Sequence, residues 1–412
     1  MSIQQNFPAI SPSLNLNFAR SKTLDPRITF SRTSTATRVN EQGLVEVVSA
    51  DIPRFDHEYE NGVIKSLGLL VEEQRTNVLE QSVVTTSNWT GSTSNTTYSN
   101  LSLNALGIFP GVEVTSTTGA AWHRRTTGFN VPFVSGTEYA VTFYYREGTS
   151  GSARLQFRYN SQESYVQGPV NGSAWTIQQT IGSISNVTTT LMDGQSTYKT
   201  SYIFTPNFTG DADMGIGVGL EGSAGVTIIA LGGQVEAGAF PTSYIPTSGG
   251  TATRNPDSVS MTGENFSDWY NQDEGTILAS HKTVLQTEPG YARIWSINDG
   301  TSNNAYAIYY PNGSKIDGFK KVSGSSNFIG GPLSTGNHNV INKTAFSYDG
   351  SAGAVTTNGV TPATYSVSGN LTLSRLNIGA REFNDPTSSI HISQLTYYPR
   401  RLTNTQLQNL TK

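Results

Sequence analysis

Dipeptides that tolerate a left-handed backbone recur along the whole chain: Asn61-Gly62, Asn171-Gly172, Asp193-Gly194, Asp299-Gly300, Asn312-Gly313, Asp317-Gly318, Asp349-Gly350 and Asn358-Gly359. Each can supply the positive-φ positions that a tight hairpin needs. Between them run short segments of alternating character: Tyr139 to Arg146, Arg154 to Tyr159, Tyr198 to Phe204, Val226 to Val235, Ala305 to Tyr310 and Ile390 to Tyr397. Alternation places successive side chains on opposite faces of a strand, so this spacing predicts short antiparallel strands stacked as β-sandwiches. A helical period is confined to LTNTQLQNL, Leu402 to Leu410, and is short, which predicts a closing turn or cap.

At 412 residues the chain exceeds what one core ordinarily serves. Its 41 glycines, 19 tyrosines and 14% charged residues favour strands and turns over helices. No fixed internal period stands out, so a propeller or solenoid is not expected. Composition divides the chain into three parts. Residues 1–80 carry Pro, Arg and Asp with little alternation and read as an extended arm lying along another surface. Residues 81–250 and 256–412 are strand-rich blocks, joined through a turn-rich linker, SYIPTSGGTATRNP, Ser243 to Pro256. The expected fold class is therefore all-β: an extended N-terminal arm followed by two antiparallel β-sandwich (jelly-roll) domains.

A net charge of -4 offers no basic stripe for phosphates, so no nucleic-acid partner is expected. The absence of cysteine removes disulfides, thiolate nucleophiles and thiolate-held metals. The start, MSIQQNFPAISPSLNLNF, lacks a basic and then apolar signal pattern, and no run is long enough to span a bilayer; neither export by that route nor membrane insertion is expected.

Little in the sequence points to catalysis. Glu72 and Glu73 precede Arg75, but in an extended segment adjacent side chains face opposite ways, so the carboxylates diverge while Glu73 and Arg75 share a face and can pair. The histidines, His57, His123, His281, His338 and His391, show no metal-ligand spacing. Neither a nucleophile elbow nor a phosphate-binding Gly-rich loop is present. Asp211 and Asp213, on a Gly-bearing stretch read as a loop, are candidate ligands for a structural Ca²⁺; no other cofactor is expected.

The stronger candidate is a binding face. In YAVTFYYRE the side chains of Tyr139, Val141, Phe143 and Tyr145 face a core, leaving Thr142, Tyr144 and Arg146 outward; beyond a short turn, Arg154, Gln156 and Arg158 oppose Leu155, Phe157 and Tyr159. If the two strands form a hairpin, Tyr144, Arg146, Arg154, Gln156 and Arg158 share one sheet surface. An aromatic ring that stacks on a sugar, beside guanidinium and amide groups that fork to hydroxyls, is glycan-reading chemistry. Further on, Tyr291, Arg293 and Trp295 alternate, as do Tyr306, Ile308 and Tyr310; one of these rows must be core, and Trp295 reads as packing.

Residues 18–90 resemble a leader of tailed-bacteriophage virion proteins. The likeness is carried by FSRTSTATRVNEQGLVEV, with Arg32 to Ala36 and Gly43-Leu44, and by IPRFDHEYENGVIKSLGLLVEEQRTNVLEQS, with Pro53 to Asp56 and Gly68 to Asn77. LGGQVEAGAFPTSYIPTSG, Leu231 to Gly249, is similar to the last strand and exit of a carbohydrate-binding-module-like jelly roll. The block from Glu274 to ISQLTYYPRRLTNTQLQNL resembles concanavalin A-like, laminin G-like sandwiches. These resemblances imply a non-enzymatic virion structural protein. Its expected role is that of a tail fibre or tail-associated adhesin that binds host polysaccharide. Its arm would dock on other virion proteins and support a homo-oligomer such as a trimer. The same likeness leaves open a ligand-free capsid decoration, collar or baseplate protein, and a polysaccharide depolymerase. Concanavalin-like depolymerases carry Glu-x-Asp-x-Glu on one strand; no such triplet occurs here, and its nearest imitation is Glu58-Tyr59-Glu60.

Overall fold

The computed structural model describes residues 6–91, 93–119, 124–126, 131–219, 223–283, 292–310, 316–329, 338–367, 369, 371–381 and 389–412. His123 and Tyr291, singled out in the sequence, lie outside them. The described strands form four large antiparallel sheets and one two-stranded ribbon. The alternating segments become strands with their ends moved by one or two residues: Tyr139–Glu147, Ser152–Tyr159, Thr197–Pro206, Thr227–Ala237, Ala305–Tyr310 and Ser389–Tyr398. Asn61 and Gly62 adopt φ of 51° and 85° and join Arg54–Glu60 to Val63–Glu72. The closing helix is Asn404–Leu410, started by Thr403, whose hydroxyl accepts from Gln406 N while the Gln406 side chain accepts from Thr403 N. Among the described residues no helix is long and apolar enough to cross a membrane.

The first sandwich uses residues of the middle block. One sheet orders Gly182–Leu191, Thr197–Pro206, Tyr139–Glu147, Thr227–Ala237, Val112–Ser116 and Thr96–Asn100; the facing sheet holds Gln162–Pro169, Ser152–Tyr159 and Gly210–Gly217 side by side. Tyr139, Val141, Phe143 and Tyr145 of one sheet meet Leu155, Phe157 and Met214 of the other in a core that excludes water. Phe133 sits edge-on to Tyr139, Phe157 and Phe204 at centroid distances of 4.8, 5.0 and 5.3 Å. Full burial of such rings contributes about 1.5–3 kcal/mol each before conformational entropy is subtracted.

The second sandwich corrects the expected arm. The described leader residues do not run as an arm outside a core. Leu14–Asn17 and Val63–Glu72 both pair with Ser389–Tyr398, Arg54–Glu60 extends the same sheet, and Thr29–Ser31 pairs with Ser258–Thr262 in the opposite one. Leu14, Leu16, Phe18, Phe55, Leu69 and Val71 enter the same core as Trp295, Tyr306, Ile308 and Tyr310. The leader is thus the missing part of the C-terminal sandwich, and the first sandwich is inserted into it. Gly68 makes the pairing possible: at φ 89° it lies so close to the Ile392 carbonyl that a Cβ would collide with backbone. Of the two rows, Trp295, Tyr306, Ile308 and Tyr310 face inward. Arg293 instead lies on the outer face, its guanidinium 4.9 Å from the Tyr309 ring and 4.6 Å from the Phe319 ring.

The expected linker is corrected as well. Ala252–Arg254 pairs with Arg75–Asn77, and Tyr244, Ile245 and Thr247 are buried. A charged cluster with almost no solvent exposure ties this segment to the leader. Arg54 donates to Glu72 Oε2 at 2.7 Å and also pairs with Asp257; Arg32 Nη1 reaches Asp257 Oδ1 at 3.0 Å, and Arg254 Nη1 lies 3.1 Å from Glu72 Oε2. Ser243 donates to Glu72 from its backbone N at 2.8 Å and from its hydroxyl at 2.6 Å, and Ser389 Oγ donates at 3.1 Å. Arg254 Nη2 donates to Glu73 O at 2.6 Å, and Glu236 accepts from both the backbone N and the hydroxyl of Thr242. Burial opposes ionisation of Glu72, but Arg254, Arg54 and the Ser243 hydrogen bonds outweigh it and hold its carboxyl well below the usual range. For Glu236 burial prevails and pushes the carboxyl up. The ion pairs join three guanidiniums, Arg32, Arg54 and Arg254, to two carboxylates, Glu72 and Asp257. Removing one partner strands the others without solvent. Arg254→Met is therefore expected to cost about 3–5 kcal/mol in urea unfolding, whereas Lys65→Ala, which breaks an exposed pair with Glu60, should change stability by less than about 0.5 kcal/mol.

Candidate functional site

The structure separates the five residues expected to share a face. Tyr139–Glu147 pairs with Thr197–Pro206 and Thr227–Ala237, while Ser152–Tyr159 pairs with Gln162–Pro169 and Gly210–Gly217, so the two strands belong to opposing sheets and form no hairpin. Their apolar rows meet across the core, and their polar rows therefore point to opposite outer faces. The turn that joins them is a crossover between layers, which local spacing does not distinguish from a hairpin.

Tyr144 is buried, stacked on Phe109 at 5.1 Å and edge-on to Tyr244 at 5.5 Å. Burial pushes its hydroxyl well above the usual tyrosine range. On the other sheet Arg154 is 1% exposed: Nε donates to Gln156 Oε1 at 2.7 Å, Nη1 to Gln167 Oε1 at 3.0 Å and Nη2 to Glu163 Oε2 at 2.7 Å, and its guanidinium covers the Tyr165 ring at 3.5 Å. Gln156 is fully buried beside it. Arg158 is half-buried, 3.9 Å from Glu163. These contacts close the cluster, although the buried Gln156 Nε2 finds no hydrogen-bond partner. Asp211 and Asp213 stand on the strand Gly210–Gly217, not a loop, and no group of three or more His, Cys, Asp or Glu residues arranged to hold a metal occurs among the described residues. Glu73 pairs with Arg75, and Glu72 turns away into the buried cluster, as alternation requires.

Arg146 has a different setting. It lines a cleft of about 330 Å³ between the first sandwich and the leader. Leader and sandwich segments build it together. The leader turn Gln42 to Leu44 is held by Asn40 Oδ1, which accepts from Gln42 N at 2.9 Å and Leu44 N at 3.0 Å; Val45 N then donates to Leu106 O at 2.7 Å and fixes the turn against the sandwich. Tyr59 comes from the strand Arg54–Glu60. The Asp193-Gly194 turn supplies the far wall: Asp193 Oδ1 accepts from Gln195 N at 2.8 Å and Thr197 N at 3.0 Å, and Oδ2 from Arg146 Nη2 at 3.2 Å. Arg146 Nε donates to Thr197 Oγ1 at 2.8 Å, so its Nη1 keeps no protein partner. The Tyr59 hydroxyl lies where a Cβ on Gly194 would stand 3.4 Å away, so Tyr59 spans the gap between the modules. The exposed amides of Asn104 and Gln195 add donors and acceptors, and Leu44, Leu103 and Met192 supply apolar walls.

An aromatic ring, an oriented guanidinium and free amides over an apolar wall suit a ligand rich in paired hydroxyls. The cleft holds one carboxylate, Asp193, with both oxygens engaged, so the pair of carboxyls that glycoside cleavage requires is not assembled there. Sequence reasoning missed Tyr59, which lay in the supposed arm within Glu58-Tyr59-Glu60, and Asp193, which read only as a turn residue. Asp193-Gly194, with Arg146 one strand away, was the available signal.

The described histidines are structural. His391 Nε2 lies 2.7 Å from Asp56 Oδ2, His57 Nδ1 donates to Val39 O at 3.1 Å, and His338 Nδ1 lies 3.4 Å from Thr283 Oγ1. His281, with neither ring nitrogen partnered, is pushed down to about 3 by burial.

No family model matches the chain, and no curated protein matches it in sequence. Among solved structures it is similar to the Ruminococcus gnavus IT-sialidase CBM40 bound to α2,3-sialyllactose, with 17% identity, covering 34% of this chain and 84% of that one at a TM-score of 0.29. It is also similar to the heptameric SAP-like pentraxin from Limulus polyphemus, with 17% identity, covering 34% and 70% at a TM-score of 0.28. For mouse laminin α1 domains LG4-5 the figures are 8% identity, 79% and 87% coverage and a TM-score of 0.24. Scores this low carry no argument about function, and the site is read from its own residues.

The neutral state of His281 has a consequence for stability. The unfolded chain takes up a proton near 6.5, while the folded one resists until about 3, so stability is full above 6.5 and is lost as pH falls through that window. The loss should approach about 1.4 kcal/mol per pH unit at most. In urea melts, wild type should lose stability relative to His281→Gln between about pH 6 and 4.

Proposed function

We propose that this chain is a non-enzymatic, surface-displayed protein that binds host-surface glycans in the cleft between the leader and the first sandwich. The observation that carries the reading is the meeting of Tyr59, Arg146 and Asp193 across two modules in an open cleft of about 330 Å³. Asp193 orients the guanidinium and leaves Nη1 for a ligand oxygen. Tyr59 offers a ring edge and a hydroxyl, and the amides of Asn104 and Gln195 complete a rim suited to sugar hydroxyls.

The place of this activity is a bacteriophage particle, as tail fibre or tail-associated adhesin. Support for that comes from the leader alone, whose likeness to tailed-phage virion proteins runs through Arg32, Pro53 to Asp56 and Gly68 to Asn77. Contact with other virion proteins and assembly into a homo-oligomer belong to the same proposal. They no longer rest on an arm in search of a core, because the leader finds its core within the chain. A ligand-free decoration or collar protein is the competing reading, favoured by the buried ion-pair cluster that ties the leader to the segment leaving the first sandwich.

A glycan array tests the binding. Wild type should retain at least one host-surface glycan, and Tyr59→Ala or Arg146→Ala should weaken that binding about tenfold or more without lowering the melting temperature appreciably. Equal binding by both variants, or no binding by wild type, would rule the cleft out. Immunogold labelling of particles then separates adhesin from decoration: tail-tip label fits the first, regular label over the head the second.

A further inference from the structure

A second recess lies on the other sandwich. The outer face of the sheet containing Leu14–Asn17, Ser389–Tyr398, Gly275–Thr283 and Asn342–Tyr348 is hollowed into a groove of about 310 Å³. Two cross-strand rungs make its floor. In one, Asn15 stands opposite Thr396 and Thr396 opposite Leu278; in the other, Gln394 stands opposite Ser280 and Ser280 opposite Lys343.

The polar groups here are only half used. Gln394 Nε2 donates to Asn15 Oδ1 and to Thr396 Oγ1, and Thr396 Oγ1 donates to Asn15 Oδ1, each at 3.2 Å. This triangle fixes the side chains and turns the remaining groups outward. Asn15 Nδ2 is left as a donor and Gln394 Oε1 as an acceptor, and Ser280 Oγ and the Tyr398 hydroxyl, which can act as either, also keep no protein partner. Tyr398 packs with Leu278 and Leu410 as an apolar wall. Among the described residues the only ionic side chain lining the groove is Lys343, and its ammonium donates to the backbone oxygen of Lys412 at 2.6 Å. No Asp or Glu among the described residues lines the groove.

We propose that this groove is a second glycan site and that its ligand is a short run of neutral polysaccharide. Alternating free donors and acceptors match sugar hydroxyls, each of which both gives and takes a hydrogen bond, and the Tyr398 wall suits the apolar face of a ring. Lys343, on the outermost of the four strands, keeps its charge, but the floor formed by Asn15, Ser280, Gln394 and Thr396 is uncharged and reads hydroxyls rather than a carboxylate. Four adjacent strands span about 14 Å, wider than one ring, which points to a chain rather than a monosaccharide. The site deepens the glycan-binding reading and rests on it. A polysaccharide held at both the cleft and the groove would be retained by effective concentration even if each site is weak.

Affinity electrophoresis of the full chain through gels containing mannan, dextran, hydroxyethylcellulose or alginate tests this. Tyr59→Ala should remain retarded by one of the three neutral polymers. Ser280→Arg, which fills the groove, or the milder Gln394→Ala should remove at least about fivefold of the remaining retardation, beyond the effect of losing the cleft alone. Wild-type retention that survives both groove variants but vanishes in Tyr59→Ala overturns the groove and leaves the cleft standing. Retention that survives Tyr59→Ala and vanishes in the groove variants does the reverse. Retardation by alginate alone overturns the neutral-ligand assignment, and no retardation of wild type in any gel overturns both sites.

Discussion

The buried contact among Arg32, Arg54, Glu72, Arg254 and Asp257 is the constraint on which the rest of the molecule depends. Its members come from the leader and from the segment that leaves the first sandwich, so it closes only when both are in place. A guanidinium or carboxylate withdrawn from water costs several kcal/mol unless its partners are fixed, and here the partners are fixed by strand pairing on either side. The cluster is thus a specificity device as well as an attachment: any misplacement of the leader would leave charges buried and unpaired.

That closure explains why the leader looks unlike an independent module. Its strands alternate poorly and carry charge, yet Leu14, Phe18, Phe55 and Leu69 are among the most deeply buried residues of the second sandwich. The inserted sandwich lies between two strands of the second, Val63–Glu72 and Ser258–Thr262. The residues that carry the leader's likeness, including Arg32, Arg54, Gly68 and Glu72, are those that seat it on its own chain. Asn77 extends the same logic: its amide donates to Ile245 O at 2.8 Å and its carbonyl accepts from Val235 N at 3.0 Å, joining leader to first sandwich.

The cleft around Arg146 follows from this arrangement. Neither the leader nor the sandwich has it alone. The leader brings Tyr59 and the turn at Gln42 to Leu44, and the sandwich brings Arg146 and Asp193. Because the modules are locked by buried charge and by Val45 paired to Leu106, the walls are pre-positioned, and binding need not pay for ordering a mobile domain pair.

Much of the secondary structure was legible in the chain. The strands Tyr139–Glu147 and Ala305–Tyr310, the turn at Asn61-Gly62, the inward row from Tyr139 to Tyr145 and the closing helix all follow from period, turn chemistry and capping, which act within a few residues. The divergence of Glu72 from Glu73 followed from the same alternation. What local pattern does not encode is which strand pairs with which. Tyr139–Glu147 and Ser152–Tyr159 are neighbours in sequence yet belong to opposite layers, and Leu14–Asn17 finds its partner in Ser389–Tyr398 at the far end of the chain. Those choices are settled by burial of whole faces and by satisfaction of buried charge over hundreds of residues, so the cleft they create was decided by the tertiary structure alone.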